Sequence, residues 1–345
     1  MDYLVLYKDP LFSIIIIIAI IVLVAIADYT RNKYKQKVKR QSLGDFAKNF
    51  EYYGIDDNIS GLMEISKYPT STLTFIADIY VTNGNFSEAI KIYLTILDKT
   101  QNLKDKMEVL ELLGLAYYKA GFMQRAKNIF IEILKNNPRN VKVLSLLMQT
   151  YEILGEYKNA FSVISCLEEL DENIDEVKKY MQILILINDS IMPLKERERE
   201  ILRINKDSKI TNKIVLNYLK TYNIQGFWDL ISKSDNIYNY IDILWNLKNP
   251  NLDKIKNNKQ ISDVYRAKGI ICDDIKCDIF ELETLRVLHK YSSKKGNLGF
   301  KYRCSSCQGI YPFETTRCPT CGELGSINLV LEIMEAKFEK NYSLL

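Results

Sequence analysis

Residues 113–138 read LGLAYYKAGFMQRAKNIFIEILKNNP, and their spacing sets the architecture. Leu113, Gly114 and Tyr117 follow helical intervals. Gly121 interrupts them, and Ala126 and Phe130 resume them before Pro138 ends the run. The pattern is a helix, a tight turn and a second helix. One unit later the same order returns at Leu147, Tyr151, Gly155, Tyr157, Ala160 and Ile164. One unit earlier it stands at Ile76, Ala77, Tyr80, Gly84, Phe86, Ala89 and Tyr93. The offsets are 37 and 34 residues, and the extra three fall in the Gln101–Lys106 loop.

Each position has a physical reading. The large residues line one face of the first helix. Gly84, Gly121 and Gly155 fall at the turns, where a side chain would obstruct chain reversal. Ala89, Ala126 and Ala160 are small where the second helix crosses the first closely, and Phe130 and its counterparts fill the gap to the next unit. No unit buries its face alone, so the units must stack. A period near 34 residues is that of the tetratricopeptide repeat. The expected class is therefore mainly α, a tetratricopeptide-repeat α-solenoid over residues 45–291, with clear units over about 70–172. Asp45–Tyr68 reads as a degenerate first hairpin, and Ile174–Ile204 and Lys209–Lys248 as diverged ones. Pro250 and the polar run Asn249–Gln260 suggest a loop or break, and Ile279–Tyr291 a last helix. Trp228 and Trp245 read as core aromatics.

Upstream, residues 11–27 (LFSIIIIIAIIVLVAIA) carry no charge and predict a short membrane-spanning helix. Ala25-Ile26-Ala27 resembles a signal-peptidase site, but a signal peptide carries its basic residues before the apolar core. Here Arg31, Lys33, Lys35, Lys37, Lys39 and Arg40 follow it. The positive-inside rule then makes residues 1–10 a short external N-terminus and 28–44 a basic juxtamembrane segment, with the body facing the cytoplasm. The net charge of +4 is concentrated in that one stretch, which argues against a nucleic-acid partner bound by a broad basic face.

Downstream, Cys304, Cys307, Cys318 and Cys321 are spaced C-x2-C-x10-C-x2-C. Two such pairs can place four thiolates around one ion, which suits zinc and also iron. Gly309 and Gly322 follow the pairs and would allow positive φ, and Pro319 pre-sets φ in the second. The module spans residues 297–345, after a linker over Ser292–Asn297. Four thiolates leave no position open for water, so the metal reads as structural. Zinc is favoured over iron because no second redox motif is present. Cys166, Cys272 and Cys277 read as free thiols, with a second metal pair at Cys272 and Cys277 as the rival reading. The only histidine, His289, reads as a surface or packing residue, and Glu196–Glu200 as a solvated helix face. No nucleophile elbow or phosphate-binding loop occurs in a suitable context, so no enzyme is expected.

The order of anchor, repeats and two-knuckle module resembles the lipopolysaccharide assembly protein B family. The most specific segments are Tyr302-Arg303-Cys304-x-x-Cys307 and Cys318-Pro319-x-Cys321, similar to that family's rubredoxin-like zinc-ribbon module. The chain departs from the family at Gly322-Glu323-Leu324-Gly325, where an aromatic residue is usual. The resemblance implies that the four cysteines ligate the metal. It also implies a cytoplasm-facing adaptor at the bacterial inner membrane, which engages the AAA+ protease FtsH and promotes turnover of the lipid A pathway deacetylase. Lipopolysaccharide synthesis would be limited in that way. The rivals are a general scaffold for other envelope or secretion proteins, and an iron redox protein.

Overall fold

The computed structural model describes residues 22–31, 33, 70–170, 174–206, 208–248, 250–293 and 295–335. Within them the protein is mainly helical, with three strands close to the C-terminus. It divides into two compact units, residues 1–155 and 156–345.

The N-terminal expectation requires correction. Of the expected span, residues 22–27 fall among the described residues, within a helical stretch over 22–31. Among the described residues no helix is long and apolar enough to cross a membrane. This overturns the single-pass inner-membrane localisation with its N-terminus outside. Residues 1–21 and 34–69 lie outside the described residues, and with them most of the expected span, the basic segment and the first hairpin.

In the first unit, helices α1 (Thr70–Thr82), α2 (Phe86–Lys99), α3 (Leu103–Lys119), α4 (Met123–Asn136) and α5 (Val141–Ile153) pack each on the next. Asn102 and Asn140 cap α3 and α5, accepting from the Lys104 and Val143 N–H groups. The core runs through Tyr93, Ile96, Leu113, Tyr117, Ile129 and Phe130. Gly84, Gly121 and Gly155 have φ of +79°, +83° and +73°, yet a Cβ at any of them meets nothing within 4 Å. The turns therefore select glycine for its left-handed backbone and not for lack of room. Gly121→Ala is expected to destabilise the first unit by about 1–2 kcal/mol, checked by denaturant unfolding.

Phe130 also has a partner inside its own hairpin. The Phe130 ring lies over Gly114 of the same hairpin: a Cβ on Gly114 would stand 2.6 Å from its Cε1. Phe130 thus locks α3 to α4. Ala89 and Ala126 are fully buried, as close helix crossing demands.

In the second unit, helices α6 (Tyr157–Glu168), α7 (Asp175–Asn188), α8 (Leu194–Asn205), α9 (Asn212–Tyr222) and α10 (Ile224–Ile231) again pack in succession. A 3-10 turn (Ile237–Tyr240) leads into α11 (Ile241–Trp245), and then come α12 (Leu252–Lys256), α13 (Lys259–Ala267) and α14 (Phe280–Tyr291). The expected break over Asn249–Gln260 is thus occupied partly by α12 and the start of α13. Arg197, in the stretch read as a solvated face, is buried and donates to the Met192 carbonyl at 2.8 Å. Strand β1 (Gly296–Cys304) pairs antiparallel with β2 (Ile310–Tyr311) on one side and β3 (Ile327–Glu335) on the other.

Helices and sheet share one core. Phe227, Trp228, Leu244, Tyr265, Leu282 and Leu285 pack in a cluster that includes Leu298 of β1. The expected linker is correspondingly short, since Gly296 and Asn297 already belong to β1. Asn297 accepts from the Trp245 indole at 3.0 Å.

Candidate metal centre

The centre grows from two loops of the same construction. Cys304 ends β1. Its N–H donates to the Gly309 carbonyl at 2.9 Å, and its carbonyl accepts from the Gln308 N–H at 3.0 Å. Fourteen residues on, from Cys304 to Cys318, the pattern repeats. The Cys318 N–H donates to Glu323 and the Cys318 carbonyl accepts from Gly322, both at 2.9 Å. Arg303 pairs with Ile310 across the first loop, and Arg317 with Leu324 across the second. The left-handed residue is Gln308 (φ 63°) in one loop and Gly322 (φ 76°) in the other. Gly309 therefore does not supply the positive φ expected of it. Its missing side chain matters because a Cβ there would stand 2.6 Å from the Tyr311 hydroxyl.

The loops bring the four sulfurs within 4.8 Å of one another. Cys304 Sγ lies 3.7 Å from Cys321 Sγ, and Cys307 Sγ lies 3.6 Å from Cys318 Sγ. A tetrahedron with metal–sulfur bonds of about 2.3 Å has edges of about 3.8 Å, so the donor set fits one ion. Cys304 and Cys318 are buried, whereas Cys307 and Cys321 are exposed.

Neighbouring donors favour the thiolate at two of the four cysteines, whereas burial pushes the Cys321 thiol up to about 12. The Cys307 N–H and the Ser326 hydroxyl, which lies 3.2 Å away, bring Cys304 down to about 6. Burial works against Cys318, but the Cys321 N–H and the Tyr311 hydroxyl outweigh it and hold the thiol below its ordinary range. Hydroxyl and amide donors around the ligands orient them and tune the site. Tyr311 and Ser326 were not legible in the sequence.

A polar latch fixes the module to the helices. Asp242 of α11 accepts from the Tyr302 hydroxyl at 2.8 Å and from Lys213 of α9 at 2.7 Å. Glu314, between the knuckles, is 3.6 Å from the same lysine. Burial raises the Glu314 pKa, and the Lys213 charge, engaged more closely by Asp242, offsets this only in part. A carboxyl whose pKa rises on folding contributes stability below its unfolded value and loses it as pH rises through the folded one. Glu314→Gln is therefore expected to raise the melting temperature at pH 8 more than at pH 4. Melting curves across pH check this, and a pH-independent effect would contradict it.

His289 is half-buried, as a packing residue is. Its ring nitrogens lie 2.8 Å from the Ala267 carbonyl and 3.0 Å from that of Gly296, so the ring sits between α13 and β1 and whichever nitrogen carries the proton donates to the carbonyl beside it. Cys272 is exposed and Cys277 is buried, the latter pushed up to about 12 by burial and by Asp263 and Glu283. Among the described residues, these two belong to no group of ligands placed to hold a metal. No family model matches the chain, and no curated protein matches it.

Proposed function

We propose that this protein is a non-catalytic adaptor: a tetratricopeptide-type helical array that binds other proteins, closed at its C-terminal end by a rubredoxin-like module with structural zinc. One observation carries most weight. Three left-handed glycines recur at 84, 121 and 155, the period at which helical hairpins of this class turn. Such arrays act by holding one protein near another, which raises effective concentration without a tight interface. When bound, the zinc would fix the relative positions of four thiolates and so stiffen the two loops. Cys304, Cys307, Cys318 and Cys321 would hold it, with Ser326 and Tyr311 as outer donors.

The resemblance extends the reading to partners: the protease FtsH and the lipid A pathway deacetylase, with lipopolysaccharide synthesis as the output. Deleting the gene should then raise the deacetylase level. Unchanged deacetylase and lipopolysaccharide amounts would remove this assignment. Capture of secretion components without protease or deacetylase would leave a general scaffold.

A further inference from the structure

The two outer edges of the sheet are unlike. Strand β2 is two residues long and is followed at once by Pro312, which blunts that edge. Strand β3 runs nine residues, INLVLEIME, in unbroken register with β1, and it contains no proline, glycine or lysine. A long edge without such guards is a template for another strand.

The first cysteine loop decides which groups face outward. Cys304 turns both its N–H and its carbonyl toward its own loop, where they pair with Gly309 and Gln308. Antiparallel ladders alternate bonded and non-bonded pairs. Cys304 opposite Ile327 is therefore non-bonded, and so are Tyr302 opposite Leu329, Phe300 opposite Leu331 and Leu298 opposite Ile333. The Ser305 N–H, which donates to the Ser326 carbonyl at 2.8 Å, fits the same alternation. Ile327, Leu329, Leu331 and Ile333 thus point N–H and C=O away from β1, at intervals of about 7 Å. Among the described residues no hydrogen bond reaches these outward groups.

Water can satisfy such groups, and that alone would make an ordinary solvated edge. The side chains go further. The same four residues face the helices, because their partners Leu298 and Cys304 are buried there. Leu329 and Leu331 pack against the helical core, whereas Ile333 is 39% exposed, so an apolar floor continues to the open edge. At the other end a cavity of about 170 Å³, lined in part by Ile327 and Leu329, adjoins the strand. The strand carries two acids, Glu332 and Glu335, and no base. Glu332 lies across the outer face, 2.6 Å from Lys301.

We propose that β3 is a docking edge for an extended peptide of a partner protein. The peptide adds antiparallel as a fourth strand, with apolar side chains toward the helices and basic ones outward. Backbone pairing selects an extended chain. The two acids select a basic one, whereas a second copy of β3 would bring only further acid. The proposal rests on the adaptor reading for its partner, but it places this contact on the sheet and not on the helical array.

The test is fluorescence anisotropy of the full chain with a labelled peptide, Lys-Ile-Lys-Val-Lys-Ile-Lys. Bonded antiparallel pairs share a face, so its apolar residues would turn their N–H groups to β3 and its lysines would turn theirs away. N-methylation of both isoleucines should weaken binding about tenfold or more, and N-methylation of the two inner lysines should leave it unchanged. Ile333→Pro removes one outward N–H and leaves the β1 ladder intact, so binding should fall roughly fivefold with metal content retained. A peptide with glutamate for lysine should not bind. Absence of binding, or equal losses from the two methylated peptides, would overturn the proposal. A dimer that Ile333→Pro dissolves, with no peptide bound, would assign the edge to a second copy and overturn it too. Either failure would leave the helical array as an adaptor, which the deacetylase and capture experiments test separately.

Discussion

Cys304→Ser is expected to release the metal and melt both knuckles while the long hairpin of the sheet survives. Binding and folding are one process in small thiolate modules, where apparent metal affinities correspond to roughly 10–16 kcal/mol. A serine oxygen is a poor fourth donor beside three thiolates. Loosening of the last ~45 residues would follow if the module stood alone, by the same coupling of metal to folding. It does not stand alone. Leu298 belongs to the helical core, Tyr302 is bonded to Asp242, and Asn297 to Trp245. Loss of amide protection should therefore concentrate in residues 304–326 and spare Leu298–Tyr302. Cys318→Ser should behave alike, because its loop has the same construction. Hydrogen exchange with metal analysis reads both effects, and unchanged metal content in both variants would refute the ligand assignment.

Phe130→Ala is expected to cost about 3–5 kcal/mol, as removal of a fully buried aromatic does. The ring is fully buried and lies against Gly114, so the deletion leaves a void between α3 and α4 that neither backbone can readily close. Gly114→Ala should also destabilise, for the opposite reason: its Cβ would meet Phe130 at 2.6 Å and Ile129 at 3.1 Å. The two effects are coupled. In a Phe130→Leu background, Gly114→Ala should cost less, because the ring edge it strikes is gone. Hydrogen exchange over residues 103–136 isolates this region from the second unit. Additive costs would show that the ring does not lock the hairpin through Gly114.

The sequence was most legible where local spacing carries the geometry. Gly84, Gly121 and Gly155 lie at helix turns because a left-handed residue is needed there, and the C-x-x-C pairs mark loops whose hydrogen bonds span only a few residues. Legibility failed where partners are distant in the chain. Asp242 and Tyr302 are 60 residues apart, and Trp245 and Asn297 are 52 apart, so no periodicity could pair them. His289 looked like an ordinary helix residue because its two carbonyl partners come from other elements. The positive φ in the first knuckle was assigned to Gly309 on composition, whereas the loop repeat places it at Gln308, the counterpart of Gly322. For residues 11–27, the described part is helical only over 22–27, and among the described residues no helix is long and apolar enough to cross a membrane.

X-ray absorption at the metal edge, on protein purified at native expression level, tests the four-thiolate centre most directly. The account predicts one zinc per chain with four sulfur neighbours at about 2.3 Å and no oxygen or nitrogen ligand. Fewer than four sulfurs, an oxygen from water, or a chain without metal would contradict it.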